Sequence, residues 1–285
     1  MIKSIKYFFE SLAIYLFFFI IKLLGLSVSR ILFSFIFKKI GPLIRSKDTL
    51  KKNLNIFSNK ISEQKKKEIE LNMWSNYGKT FVEYMFLKKF RKENLHIKIE
   101  GKEILDEINH NKKPVIFISG HFANFELMSM EITKNKINLA TIYRPLNNFF
   151  LNPLMEYLRK KYVCNKQIKK GRSGIKECIE YIEKGYSVAL MIDQRLGEGD
   201  RVKFFSKTAH TTSLPAQLSL KYNLNIVPIF IEREHKDSFK MKIYEPINTS
   251  SFKNKSEITL KLNEFLENMI MKNPNQWIWT HDRWK

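Results

Sequence analysis

Pro114-Val115-Ile116-Phe117-Ile118, followed without a break by Ser119-Gly120-His121-Phe122-Ala123-Asn124-Phe125-Glu126-Leu127, decides how this chain is read. The first five residues carry the β-branched and aromatic side chains of a buried strand. A histidine and a carboxylate five apart come directly after it. On a regular helix five residues advance about 500°, leaving His121 and Glu126 roughly 140° apart, whereas partners on one face lie three or four apart. The two meet only if His121 is still on the loop and Glu126 is in the first helical turn, with Gly120 supplying the turn between them. A histidine at a strand end, held in tautomer by a carboxylate, is suited to taking a proton from an alcohol or water. His121 is therefore expected as a general base and Glu126 as the group that orients it.

Strand-like runs rich in Ile, Val, Tyr or Phe recur at 114–119, 139–144, 187–193, 225–232 and 240–247. Helical segments are expected between and after them, near 150–162, 173–184, 212–222 and 257–271. Alternation of this kind predicts an α/β fold with a mixed, largely parallel sheet covered by helices. Ligands gather at the carboxyl ends of such strands. His121, Arg144 and Asp193 each stand at or just after the end of a run, so all three are expected to face one crevice.

The N-terminus is almost wholly apolar. Residues 11–21 are uncharged, Lys22 interrupts, and 23–29 and 31–37 continue in the same vein. A spanning helix needs about 20 residues; taking roughly 7–26 leaves Glu10 and Lys22 near the two interfaces, where a lysine can snorkel. The segment around Leu24 offers no small-residue cleavage site, which argues against a removed signal peptide. The chain thus divides into an N-terminal membrane anchor at 1–40 and a domain at 41–285. Lys38, Lys39, Arg45, Lys47, Lys51 and Lys52 favour a cytoplasmic domain. Lys3 and Lys6 pull the other end the same way, which leaves a re-entrant or interfacial helix open.

A formal charge of +22 over 285 residues resembles a nucleic-acid signature, but 40 lysines against 10 arginines reflect a compositional bias, and no nucleic-acid-binding module is recognisable. A basic surface does favour anionic headgroups. The few arginines are more informative. Arg144, Arg172, Arg195 and Arg201 fall in one region, where a bidentate fork can grip phosphate. Cys164 and Cys178 have neither metal-site spacing nor the number for a disulfide framework. The remaining histidines, His96, His110, His210, His235 and His281, form no paired-ligand pattern, so neither metal nor cofactor is expected. A serine hydrolase is disfavoured because there is no Gly-x-Ser-x-Gly elbow.

With its downstream partners the opening stretch resembles the lipid A late acyltransferases (lauroyl or myristoyl transferases) of the lysophospholipid acyltransferase superfamily, whose signature is His, four residues, then Asp or Glu. The family's first block looks like Gly120 to Leu127 and its second like Tyr143-Arg144-Pro145-Leu146-Asn147-Asn148. The third resembles Gly185-Tyr186-Ser187-Val188-Ala189-Leu190-Met191-Ile192-Asp193-Gln194, and the fourth runs from Val202 to Thr211. The ending, Asn273-Pro274-Asn275-Gln276-Trp277-Ile278-Trp279-Thr280-His281-Asp282-Arg283-Trp284-Lys285, is also similar. Phe125 stands where the family usually has Trp, and Ser206 where it usually has Gly.

The resemblance implies a glycerol-3-phosphate acyltransferase-like fold and an enzyme of the inner membrane. It would move an acyl chain from acyl carrier protein, or acyl-CoA, to a hydroxyl of a glycolipid acceptor, a lipid A precursor. His121 and Glu126 would be catalytic, while Asn124, Arg144, Arg172, Asp193 and Gln194 would bind substrate. An acyltransferase for lysophosphatidate is the alternative, and a basic membrane-binding protein without chemistry is a third possibility. Phe204, Phe205, Trp277, Trp279 and Trp284 fit either an acyl channel or a membrane interface, with core packing as the other reading for Trp277 and Trp279.

Overall fold

The computed structural model describes every residue except Met1, Arg45, Ser46, Asn59 and Glu198, and omits the side chains of Ile2, Ile44 and Lys47. Arg45, one of the cations expected to orient the chain, thus lies outside the described residues. Four helices come first: α1 (Ile2–Ile44), α2 (Lys47–Phe57), α3 (Glu63–Glu83) and α4 (Leu87–Lys92). Strands and helices then alternate through β1 (Ile97–Glu100), α5 (Lys102–Asn111), β2 (Ile116–Ser119), α6 (Glu126–Lys134), β3 (Leu139–Tyr143), α7 (Asn152–Tyr162), β4 (Lys166–Lys169), α8 (Arg172–Glu183) and β5 (Ser187–Met191). An antiparallel ribbon of β6 (Asp200–Phe204) and β7 (Lys207–Thr211) precedes α9 (Leu214–Tyr222), β8 (Ile226–Arg233), β9 (Phe239–Ile243) and α10 (Lys255–Lys272).

Seven strands form one sheet in the order β1-β9-β8-β2-β5-β3-β4. Every pairing in it is parallel except β8 with β9. The expected mixed, largely parallel α/β fold is the one observed. β2 is buried along its whole length, as a central strand covered on both faces must be. The hydrophobic pattern did not reveal the ribbon strands β6 and β7, and within the seven-stranded sheet the two it missed, β1 (Ile-Lys-Ile-Glu) and β4 (Lys-Gln-Ile-Lys), are its edges. Lysines on an edge strand discourage pairing with another chain, and the same lysines hide the strand from a reading based on apolar runs.

α1 departs from the single helix expected over 7–26. Gly25 has φ 75° and ψ 173°, a conformation essentially reserved for glycine, and the chain folds back there into two antiparallel arms. Phe17 and Phe33 would lie about 24 Å apart on a straight helix; their rings are 5.7 Å apart. Ser29 Oγ donates to Ile21 O at 3.2 Å across the bend. Phe81 of α3 receives both arms, with Phe18 at 5.0 Å, Phe33 at 5.6 Å and Phe37 at 5.7 Å. The first arm also lies along the domain. Asn148 Nδ2 donates to Tyr7 O at 2.9 Å, Tyr15 Oη donates to Phe150 O at 2.9 Å, and Lys22 Nζ donates to Met85 O. Its opposite face leaves Phe9, Leu12, Leu16, Phe19 and Leu23 exposed. Both arms of α1 thus pack against residues that follow position 40.

A Cβ at position 25 would meet no atom within 4 Å, so a Gly25→Ala substitution acts through backbone strain alone. The expected cost is about 1–3 kcal/mol. Limited proteolysis should show cleavage within residues 1–44 accelerated, while the cooperative melting of the sheet moves little.

Candidate active site

Ile116 lies opposite Val188 and Ser119 opposite Met191 in the parallel β2–β5 pair. Ile192 N–H continues this ladder to Ser119 O at 2.9 Å. The same register carried two residues further puts His121 opposite Asp193, each two residues beyond the carboxyl end of its strand. The contact is direct. His121 Nδ1–H donates to Asp193 Oδ1 at 2.8 Å, and the His121 backbone N–H donates to Oδ2 at 2.8 Å. Trp277 Nε1–H adds a third donor to Oδ2 at 2.9 Å. A Cβ on Gly120 would sit 3.3 Å from Asp193 Cβ and Cγ and closer still to the Phe122 ring, so glycine there leaves room for the carboxylate.

Asp193 is fully buried. Burial by itself would push its carboxyl up; the His121 charge, the two His121 hydrogen bonds and the Trp277 indole outweigh that and hold it below the usual carboxylate range. With Nδ1–H committed to Asp193, the neutral imidazole carries its lone pair on Nε2. The His121 side chain keeps 20% of its surface exposed, so a ligand can reach it. The ring of Phe125, standing where the resembled family has Trp, meets the His121 ring edge-on at 4.7 Å.

Glu126 does not orient His121. It opens α6, as expected, but its Oε1 accepts from Tyr84 Oη at 2.7 Å and from Arg159 Nε at 2.7 Å, and Arg159 Nη2 lies 2.7 Å from the same oxygen. Arg159 also donates to Tyr84 Oη at 3.1 Å. Burial opposes the Arg159 charge, and Glu126 restores it, leaving the guanidinium firmly charged. Burial and the Glu126 charge push the Tyr84 phenol well above its ordinary value. Glu126 thus fastens α6 to α7 and to the turn after α3, and Asp193 occupies the position that the sequence reading gave to Glu126.

Asn124, expected at the substrate, is also buried: its Nδ2 donates to Glu83 Oε2 at 2.9 Å. Glu83, inaccessible to solvent, pairs with Arg30 at 2.8 Å and with Arg233. Arg233 extends to Asn76 Oδ1 at 3.2 Å, while Asn76 Nδ2 and Thr80 Oγ1 donate to Ala123 O at 3.3 and 3.0 Å. Ala123, with φ 43°, is in the left-handed region that an alanine seldom occupies. The loop after His121 is therefore pinned from behind.

The remaining expected residues stand at the rim. Arg144 directly follows β3, and Arg172 begins α8 after β4; both are exposed. Lys170 lies beside them, its ammonium pushed down by burial and then by Arg144. These cations mark the carboxyl ends of β3 and β4, the two strands that follow β5 in the sheet order. Gln194 is half-buried, one residue beyond Asp193. Among the described residues no group of three or more His, Cys, Asp and Glu side chains gathers as a metal site would require.

The C-terminal turn carries supports that the sequence reading missed. Gln276 O accepts Ala123 N–H at 3.2 Å, and His281 Nε2 accepts Arg195 N–H at 2.8 Å. Burial holds the His281 imidazole below its ordinary value, as an acceptor nitrogen requires; Asp193 pulls the other way, and Arg283 and His121 reinforce burial. Trp277, Trp279 and Trp284 pack with Phe204 and Phe205 into one aromatic cluster. Ser206 reaches φ 60° without being glycine, so the loop after the paired phenylalanines keeps a left-handed turn. Two tryptophans separated by one residue read as alternating core side chains; the carboxylate that one indole serves is invisible without the fold.

The family described as bacterial lipid A biosynthesis acyltransferase matches residues 2–285. The chain is similar to lipid A biosynthesis acyltransferase 2 of Shigella flexneri, 25% identical over 185 residues that span 63% of this chain and 58% of that protein. It is also similar to the lipid A biosynthesis lauroyltransferase of Escherichia coli K12, 23% identical over 242 residues, 82% of this chain and 77% of that one. A similar solved structure is the 1-acyl-sn-glycerophosphate (LPA) acyltransferase of Thermotoga maritima, with a TM-score of 0.42 and 13% identity, covering 95% of this chain and 99% of that chain.

Removing one partner of a buried ion pair costs about 3–5 kcal/mol. A Glu126→Gln variant should therefore melt markedly lower by calorimetry, while the His121 Nδ1–H resonance, which reports the bond to Asp193, stays where it is in the wild type.

Proposed function

The chain belongs to the bacterial lipid A biosynthesis acyltransferase family, and on that premise we propose that it transfers a fatty acyl chain from an acyl-carrier-protein thioester to a hydroxyl of a lipid A precursor. The observation that carries the reading is the bond between His121 Nδ1–H and Asp193 Oδ1 at the carboxyl ends of adjacent strands. His121 Nε2 accepts the proton of the acceptor hydroxyl as its oxygen attacks the thioester carbonyl carbon. The C–O bond forms, the C–S bond breaks, and the imidazolium returns its proton to the leaving thiolate. Asp193 stabilises that imidazolium and fixes the tautomer; general-base assistance of this kind contributes about 10²- to 10⁴-fold. Arg144, Lys170 and Arg172 at the neighbouring strand ends supply cations for phosphate groups of the substrates, and Gln194 supplies an amide at the rim. Glu126 and Asn124 keep the loop and α6 in place without touching substrate.

α1 is read as the membrane-bound part. Lys3 and Lys6 begin one arm and Lys38 and Lys39 close the other, so a hairpin returns both basic ends to the same side. That side is the cytoplasmic one by the positive-inside tendency. Because the first arm lies against the domain from Tyr7 to Lys22, the reading is of a helix lying in the inner leaflet of the inner membrane with its outward face in lipid.

Lipid mass spectrometry tests the activity, using membranes with acyl-carrier-protein thioester and, separately, a lipid A precursor or lysophosphatidate. Acylation of the glycolipid by the wild type, lost in His121→Ala and reduced about 10³- to 10⁴-fold in Asp193→Asn, is the expected result. Acylation of lysophosphatidate alone would reassign the acceptor, and full activity in His121→Ala would overturn the mechanism.

Trp277→Phe removes one donor from Asp193. The carboxylate then holds a proton more tightly, so the acid limb of the kcat/KM profile should move to higher pH and kcat should fall about tenfold with little change in KM. Phe204→Leu, which loosens the same aromatic cluster without touching Asp193, should lower the melting temperature and leave the acid limb in place.

A further inference from the structure

The loop between β3 and α7 exposes three large apolar side chains beside the active-site rim. Leu146, Phe149 and Phe150 are 37%, 53% and 38% accessible. Phe149 and Phe150 meet at 4.4 Å with their rings tilted by 35°, Phe150 meets Phe8 at 5.7 Å, Phe8 meets Phe9 at 5.6 Å, and Phe149 meets Tyr7 at 6.1 Å. Phe8 and Phe9 are themselves half exposed or more. One continuous aromatic surface thus runs from the first arm of α1 onto a loop that starts at Arg144.

The loop is held in this position rather than left to wander. Asn148 Oδ1 accepts from Ser11 Oγ at 2.9 Å and from Phe150 N–H at 3.1 Å, and its Nδ2 reaches Tyr7 O. Leu146 N–H donates to Asn152 Oδ1 at 2.8 Å. Holding four neighbouring phenylalanines in water is unfavourable, and a patch of this kind marks an interaction surface. Its surroundings select the partner: Lys3 and Lys6 are exposed beside it, and the apolar outer face of α1 continues from it. Aromatic rings flanked by lysines suit the headgroup level of an anionic bilayer.

We propose that residues 146–150 form a second membrane-inserting element, which with the outer face of α1 seats the rim of the His121 site on an anionic lipid surface. This rests on the reading of α1 as membrane-bound. The lipid acceptor then reaches the rim cations from the leaflet without passing through water, and Arg144 sits where the acceptor's headgroup enters.

The test uses the full chain with vesicles of phosphatidylcholine alone or mixed with phosphatidylglycerol. Phe149→Ser/Phe150→Ser should lower partitioning onto the mixed vesicles about tenfold, the equivalent of roughly 1.4 kcal/mol. The ratio of turnover on vesicle-embedded acceptor to turnover on detergent-dispersed acceptor should fall by a similar factor. Because serine at these positions also strips contacts from Tyr7 and Phe8, a Phe149→Trp variant supplies a second reading: its added fluorescence should be quenched by lipids with brominated chains. Wild-type failure to bind vesicles would sink the reading of α1 and this proposal together. Wild-type binding with an unaffected double variant and an unquenched tryptophan at position 149 would overturn this proposal alone.

Discussion

A carboxylate sealed from water keeps its charge only if donors surround it, and Asp193 draws its donors from two distant parts of the chain. The ring and backbone of His121 supply two of them, and the Trp277 indole supplies the third. Each depends on a separate feature of the fold. The parallel register of β2 with β5 brings His121 across, the missing side chain at Gly120 leaves room, and the C-terminal turn delivers the indole from behind. If any of these shifted, burial would favour a protonated Asp193, and a neutral acid cannot answer the charge that forms on imidazole.

A second buried carboxylate ties this site to the N-terminal hairpin. Glu83 of α3 binds Arg30 from the second arm of α1, Arg233 from the end of β8, and Asn124 from the loop after His121. Two guanidinium groups around a carboxylate with no solvent access are tolerable only as a complete set, since either charge alone would be stranded. Arg30 therefore completes the pocket that anchors the loop after His121. The hairpin is part of the folded unit for electrostatic reasons, in addition to the aromatic packing of Phe18, Phe33 and Phe37 on Phe81.

What the sequence disclosed follows from what its patterns encode. Long apolar runs identified the buried strands β2, β3, β5, β8 and β9, and helical periodicity identified α7 to α10, each within a few residues. Edge strands β1 and β4, the β6–β7 ribbon and the polar early helices carried no such signal. The loop position of His121 and the helical position of Glu126 were both legible from local rules, and both were observed. Whether the two touch was not legible, because two side chains on one connection can point to opposite sides of a sheet. The partner that does touch, Asp193, lies on a strand whose adjacency to β2 is a property of sheet order, which no local pattern specifies. Gly25 stood in plain view between two leucines, yet a glycine in an apolar run reads equally well as a tolerated helix residue or as a hinge.

The different fates of the two carboxylates have a chemical logic. Glu126 faces a guanidinium that reaches it through two nitrogens, together with a phenol, so its charge is already answered by a fixed cation. Such a group can hold helices together, but it has little left to offer a protonated imidazole. Asp193 faces an indole, a backbone N–H and the imidazole itself, none of them permanently charged. The buried Arg283 guanidinium acts on the Asp193 charge through space while spending its own hydrogen bonds on His210 O and Thr211 Oγ1, so the direct answer to that charge is left to His121 when the imidazole is protonated. A histidine-carboxylate spacing in the sequence nominates candidates for this role; the charge of each carboxylate's other partners decides between them.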